Sequence, residues 1–245
     1  PVEFDTPAPK ITKINEKEGL PLLSMEDFPV DPRAGVDLFH WICESTRTLT
    51  GPLSETGPVL EKAVSDGRLD LAGLFSAILS GDDDRIQETA EKLLVDRDVV
   101  ALLAYQSIRP FLVAVSRSLA GQGKVPESWR RGICPVCGSF PTLAVLKEEG
   151  RRTLVCGFCW HEWPYRRVTC PFCQTTDGKR LHYFYDESEP ESRVDLCDAC
   201  RRYLKTVDAR KTERTIYPPL EVLTTLHLDM KAQDLGFKGE LKPKT

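Results

Sequence analysis

Four Cys-x-x-Cys pairs constrain this chain more than anything else in it: Cys134/Cys137, Cys156/Cys159, Cys170/Cys173 and Cys197/Cys200 hold eight of its nine cysteines. Two residues between cysteines let both thiolates reach one cation from a tight turn, so four pairs supply the ligands of two four-sulfur metal sites. Eighteen residues lie between Cys137 and Cys156 and 23 between Cys173 and Cys197, with ten between Cys159 and Cys170. This spacing favours closure of each site by neighbouring pairs over an interleaved arrangement. Disulfides are the rival reading. No charged segment followed by an apolar one opens the sequence, so reduced thiols in the cytoplasm are expected, and paired spacing then means metal.

With four sulfurs on each ion, neither site keeps an open position for substrate or an activated water, which argues against metal catalysis. Such a site supplies folding energy instead, on the order of 10 kcal/mol. The turn Cys134-Pro-Val-Cys-Gly138 is rubredoxin-like, because Pro135 presets it and Gly138 can take a left-handed conformation. Cys170-Pro-Phe-Cys repeats it with Gln174 in the glycine position. Four thiolates suit iron and zinc alike.

Net charge is −4, unevenly spread. From Arg130 to Arg214 there are 16 Lys/Arg against 12 Asp/Glu, but two tetrathiolate sites would offset most of that excess. A nucleic-acid-binding stripe of cations is therefore not expected. Arg109, Pro110 and Arg117 interrupt the most apolar stretch, and no membrane insertion is expected.

The first thirty residues, with five prolines, read as an extended arm. Helical spacing then runs through Val36, Phe39, Ile42/Cys43 and Leu49, through Leu60 and Val64, and through Leu69 to Leu79, ending at Gly81. Asp82–Asp84 mark the start of a further helix. Asp96 or Asp98 opens a long, nearly all-apolar helix that ends before Gly121 and Gly123, kinked at Pro110. Beyond Trp129, short strands are expected at Leu143–Val145, Thr153–Val155, Val168, His182–Tyr185 and Val194–Leu196. One helix containing Leu220, Leu223, Leu226 and Leu228 follows Pro218-Pro219.

The predicted fold class is multidomain α+β. An arm (1–30) and an all-helical domain (31–129) precede two small rubredoxin-like or zinc-ribbon modules (130–166 and 167–214), with a C-terminal helix and tail (215–245). Trp163 is expected to shield sulfur. Tyr203 and Lys205 are placed in a helix or turn after Cys200. Cys43 is expected to be a core residue, and His40, His161, His182 and His227 show no ligand spacing.

CPVCGSFP at Cys134–Pro141, the Glu162-Trp163 after Cys159, Arg167-x-x-Cys-Pro-x-Cys173, and the run from Glu187 to Lys205 resemble the formate dehydrogenase accessory protein family, FdhE. Leu226–Asp229 with Gly236-Phe237 is similar to that family's C-terminal end. The resemblance implies a non-catalytic cytoplasmic maturation factor holding two metal ions per chain, iron by family expectation. It implies that Cys134, Cys137, Cys156, Cys159, Cys170, Cys173, Cys197 and Cys200 are the ligands, and that the partner is the molybdenum- or tungsten-containing catalytic subunit of formate dehydrogenase. A zinc-ribbon nucleic-acid binder and a thiol-disulfide redox protein are the alternatives that the cysteines alone leave open.

Overall fold

The computed structural model describes residues 19–239, which fall into two compact units, one spanning Leu23–Ser118 and the other combining 19–22 with 119–239. Of the segment expected to be an arm, residues 1–18 lie outside the described residues.

The first unit is helical: α1 (Pro32–Ser45), α2 (Pro52–Ser65), α3 (Leu71–Ser80), α4 (Asp83–Leu93) and most of α5 (Arg97–Gly121). Aspartate side chains cap four of these five helices. Asp31 accepts from the Arg33 and Ala34 N–H groups, Asp70 from Gly73, Asp82 from Arg85, and Asp96 from Asp98 and Val99. Each satisfies N–H donors that the first turn leaves free, worth about 1 kcal/mol per cap. Gly81 ends α3 at φ 72°, as its position predicts, whereas Leu94 closes α4 in the same left-handed region. α1 crosses α3 closely because Gly35 has no side chain: a Cβ there would sit 2.8 Å from Phe75. The Phe75 ring meets Phe39 edge-on at 6.4 Å. Cys43 is fully buried, and burial, with the Glu61 charge behind it, pushes its thiol up to about 12, which leaves it an inert core side chain.

α5 runs unbroken across Pro110. By length and composition it is the one helix among the described residues able to cross a membrane, with a mean hydropathy of 1.6 over an 18-residue window, 56% of which is buried within the protein. Its Val100, Ala104, Ile108, Phe111 and Leu112 have no solvent exposure. The helix is thus a core element, which explains its apolar character on nearly every side.

The second unit is built on a six-stranded sheet in the order β3-β2-β1-β6-β5-β4. The strands are β1 (Pro141–Leu146), β2 (Arg152–Cys156), β3 (Glu162–Tyr165), β4 (Leu181–Tyr185), β5 (Ser192–Cys197) and β6 (Arg202–Asp208). All neighbours are antiparallel except the central pair, where β1 runs parallel to β6 with Leu143 beside Lys205 and Leu146 beside Asp208. Two copies of one pattern make the sheet: a cysteine turn, two strands, a second cysteine turn and a third strand. The two copies form one continuous sheet, joined edge to edge by the β1–β6 pair. Edge strand β3 carries Pro164, a residue tolerated at an edge because it withholds no needed ladder donor.

Three expectations are corrected here. Val168 lies in a turn and is 59% exposed, since a lone valine after Arg166-Arg167 offers no apolar face to pair. Tyr203 and Lys205 sit on β6, not in a helix or turn. The single C-terminal helix is two, α6 (Pro218–Thr224) and α7 (Leu226–Asp234). The break has a local cause. Lys205 Nζ donates to the Val222 carbonyl at 2.8 Å, taking the acceptor that the Leu226 N–H would use in a continuous helix.

α6 and α7 cover one sheet face. Val222 and Ile216 pack on Leu143, Val145, Val155 and Val207, and Leu228, Ala232 and Phe237 pack on Val194, Leu196 and Tyr203. The polar tie between these layers is Asp229, which accepts from Tyr203 Oη at 2.9 Å and Lys205 Nζ at 2.5 Å. The Lys205 and Asp229 side chains are 5% and 18% exposed. Removing one partner of such a pair leaves the other charge buried alone. Asp229→Leu is expected to destabilise the unit by about 3–5 kcal/mol, and Lys205→Met with Asp229→Leu to regain most of that loss. Urea unfolding followed by circular dichroism measures both; a double variant no better than the single one contradicts this account.

Candidate metal centres

Each cysteine pair occupies the same local structure, a tight turn in which the residue after the second cysteine has a left-handed backbone. These residues are Gly138 (φ 77°), Trp160 (φ 57°), Gln174 (φ 61°) and Arg201 (φ 57°). The sequence points to this at Gly138 alone. For the other three, a conformation costing roughly 1–2 kcal/mol is held in place by the turn's hydrogen bonds. The first cysteine's N–H donates five residues ahead: Cys134 to the Ser139 carbonyl at 2.8 Å, Cys156 to His161 at 2.9 Å and Cys170 to Thr175 at 3.0 Å. In the fourth turn the equivalent pair, Cys197 and Arg202, opens the β5–β6 ladder. The N–H of the left-handed residue then donates back, Gly138 to Cys134, Gln174 to Cys170 and Arg201 to Cys197 at 2.8–3.0 Å. Bent in this way, the backbone aims N–H groups at sulfur: Val136 toward Cys134 Sγ at 3.4 Å, and Phe158 and Cys159 toward Cys156 Sγ at 3.3 Å.

The strands carry the turns together in two groups, Cys134, Cys137, Cys156 and Cys159 in one and Cys170, Cys173, Cys197 and Cys200 in the other, with all Sγ atoms of a group within 4.8 Å of one another. Neighbouring pairs close each group. The nearest sulfurs are 3.4 Å apart (Cys137–Cys156) and 3.7 Å apart (Cys134–Cys159, Cys170–Cys200 and Cys173–Cys197). These separations are far beyond the ~2.05 Å of a disulfide. They match the edge of a tetrahedron with metal–sulfur bonds of about 2.3 Å, which is ~3.8 Å. Among the described residues no histidine joins either group.

Thiol chemistry agrees with that fit. Burial pushes Cys134 and Cys137 well above the ordinary thiol range. At Cys159 burial also opposes ionisation, but hydrogen bonds from Cys134, Cys137 and Cys156 outweigh it and hold this thiol well below the range. Burial likewise raises Cys170, and lifts Cys200 to about 11. Protons alone let a cluster share little negative charge, whereas a cation lets all four sulfurs ionise. Each group can hold a metal ion of the kind that takes four thiolates.

The two groups differ in exposure. All four cysteines of the first are buried, while Cys173 is exposed and Cys200 half-buried in the second. Around the first, Trp163 is 1% exposed and donates its indole N–H to the Arg131 carbonyl at 3.1 Å, and Trp129 donates to Ile133 at 2.9 Å. Both indoles thus fix the approach to Cys134. Residues 19–22 lie against the same turn, with Leu22 N–H donating to the Pro135 carbonyl at 3.0 Å. The two groups are coupled through Gly132, where a Cβ would lie 1.8 Å from the Pro171 carbonyl oxygen.

This asymmetry predicts the order of metal loss. Under a chromogenic chelator the wild-type protein is expected to release one equivalent quickly and one slowly. Cys173→Ser should retain only the slow equivalent and Cys137→Ser only the fast one. Release of both at one rate would contradict the assignment.

The family described as "FdhE, central domain" matches residues 133–167, the first cysteine group and its strands. The chain is 27% identical to an FdhE homolog of Cronobacter sakazakii over 241 residues, 97% of this chain and 72% of that protein. It is 34% identical to an FdhE homolog of Aquifex aeolicus over 115 residues, covering 45% of this chain and 40% of the relative. With the homolog from Edwardsiella ictaluri it shares 30% over 191 residues, 76% and 58% of the two lengths. The chain therefore spans between 40% and 72% of these relatives. The crystal structure of the FdhE protein from Pseudomonas aeruginosa has the same fold, with a TM-score of 0.68 at 20% identity over 94% of this chain and 79% of that one. These matches, on a sheet that brings the four cysteine turns together in two groups, make the chain similar in sequence and in fold to FdhE proteins.

Proposed function

We propose that this chain is a non-catalytic maturation factor that binds the catalytic subunit of formate dehydrogenase in the cytoplasm and assists its assembly or activation. The observation that carries the reading is the pair of four-cysteine groups in a chain similar to FdhE proteins. Cys134, Cys137, Cys156 and Cys159 hold one ion, and Cys170, Cys173, Cys197 and Cys200 hold the other, iron or zinc. Bound there, the ion supplies cross-linking of distant turns, since four sulfurs complete its shell and leave no position for substrate.

What remains for function is the surface that the sites hold in shape. α6 and α7 present an apolar row outward: Leu220, Leu223 and Leu226, with Leu223 63% exposed and Met230 66% exposed. Exposed apolar side chains in a row mark protein contact surfaces more often than isolated ones do. We assign the client to this row, on the side of the two helices away from the sheet.

Tagged protein purified from its native cell is expected to bring down the formate dehydrogenase catalytic subunit. Leu223→Glu with Met230→Glu should lose that capture while keeping two metal ions per chain. Capture of nucleic acid with none of that subunit contradicts the proposal, as does full capture by the double variant for the assigned surface.

A further inference from the structure

The sheet face opposite α6 and α7 is not apolar throughout. Cross-strand register places Arg152 beside Leu146, Thr206 beside Ala144, and Arg193 beside Thr206, with Asp195 beside Leu204 and Tyr183, so these side chains share one face. Of these, Arg152, Tyr183, Arg193, Asp195 and Leu204, together with the turn that leads into Cys170, line a cavity of about 230 Å³. Four arginines border it, Arg152, Arg167, Arg193 and Arg202, and the carboxylate among its lining residues is Asp195.

Asp195 is already used up. It accepts from Thr206 Oγ1 at 2.8 Å and Arg152 Nη2 at 3.2 Å, and lies 2.9 Å from Arg193 Nε. Among the described residues neither Arg167 nor Arg202 has a carboxylate partner. Arg202 is held instead between the Phe140 and Phe172 rings, at 5.4 and 5.3 Å. The Arg152 side chain is 4% exposed, and its Nε is buried without a hydrogen-bond acceptor. Burial lowers Arg152 from the ordinary guanidinium range; the Asp195 charge opposes that shift and the Arg193 charge adds to it. Cys170 and Cys197 also border the cavity. A tetrathiolate there contributes about −1 with a ferric ion or −2 with a divalent one, so four cations and one carboxylate still leave an excess of positive charge. With one carboxylate shared between Arg152 and Arg193 and a buried Arg152 donor left over, the cluster can accept a further counter-charge.

We propose that this cavity is a binding site for a compact oxyanion, taken up by the guanidinium groups of Arg167, Arg193 and Arg202 with Arg152 beneath them. Guanidinium forks match the paired oxygens of carboxylate and phosphate groups. Phe172 and Leu204 add apolar wall beside the charges, which strengthens each charge contact. The volume is below the 300–1,000 Å³ that holds a drug-sized ligand, so the site takes a single anionic group and not a nucleotide. The inference does not depend on which protein the chain assists.

Isothermal titration of the metal-loaded full chain in low-salt buffer, with inorganic phosphate in one arm and acetate in the other, tests it. Saturable one-to-one binding of at least one probe is expected, weakened about tenfold or more by Arg193→Gln, and separately by Arg167→Gln, which alters an exposed residue. Arg85→Gln, in the helical unit, should bind as the wild type does. Preference for phosphate identifies a phosphoryl ligand, and preference for acetate a carboxylate such as an acidic side chain or chain terminus carries; either supports the site. Binding of both probes weaker than about 10 mM, or equal in the wild type and both pocket variants, overturns it.

Discussion

Four sulfurs gathered within 4.8 Å of one another are an arrangement that protons serve poorly and one cation serves well. Everything else in the second unit is organised to reach that geometry. Four turns share one hydrogen-bond pattern, three of them hold a non-glycine residue in the left-handed region, and of the strands, only four to seven residues long, β2 and β5 end on cysteines while β3 and β6 begin just beyond them. Strands this short have limited core of their own. Cross-linking by two closed sites replaces the apolar mass that a larger sheet would use.

The duplication has a further structural consequence. In each half the third strand returns parallel to the first, so the first strand of one half and the last of the other can meet as β1 and β6 without changing the pattern of either. The halves become one sheet with one face for α6 and α7 and another for the arginine-lined cavity. Gly132 fits this arrangement, since the second half's Pro171 carbonyl occupies the space that a side chain would need. A buried Lys205–Asp229 pair on the seam strand then fixes α7, and the same lysine divides the C-terminal segment into two helices.

The cysteine grouping was legible because ligand spacing is a local property, written within a turn and repeated at intervals that only some pairings can span. Helix starts were legible for the same reason: Asp82 caps α4, and Asp96 rather than Asp98 caps α5. Strands β3 and β6 were missed. In Glu162–Tyr165 a proline masks the period, and in Arg202–Asp208 the charged residues suggest a surface turn although Lys205 is 5% exposed. The left-handed Trp160 and Arg201 carry no sequence signal, because their conformation is imposed by the turn and not favoured by the residue. The arginine cavity was hidden by averaging. Charge over the whole cysteine region comes out near balance, whereas folding sets Arg152, Arg167, Arg193 and Arg202 around one already occupied carboxylate.

Hydrogen–deuterium exchange during stepwise removal of metal tests most directly whether the sulfur sites hold the second unit together. The account predicts that amides from Ile133 to Asp208 lose protection in proportion to the metal withdrawn, while those of α1 to α4 keep theirs. Undiminished protection of the six strands in fully metal-free, reduced protein would contradict it.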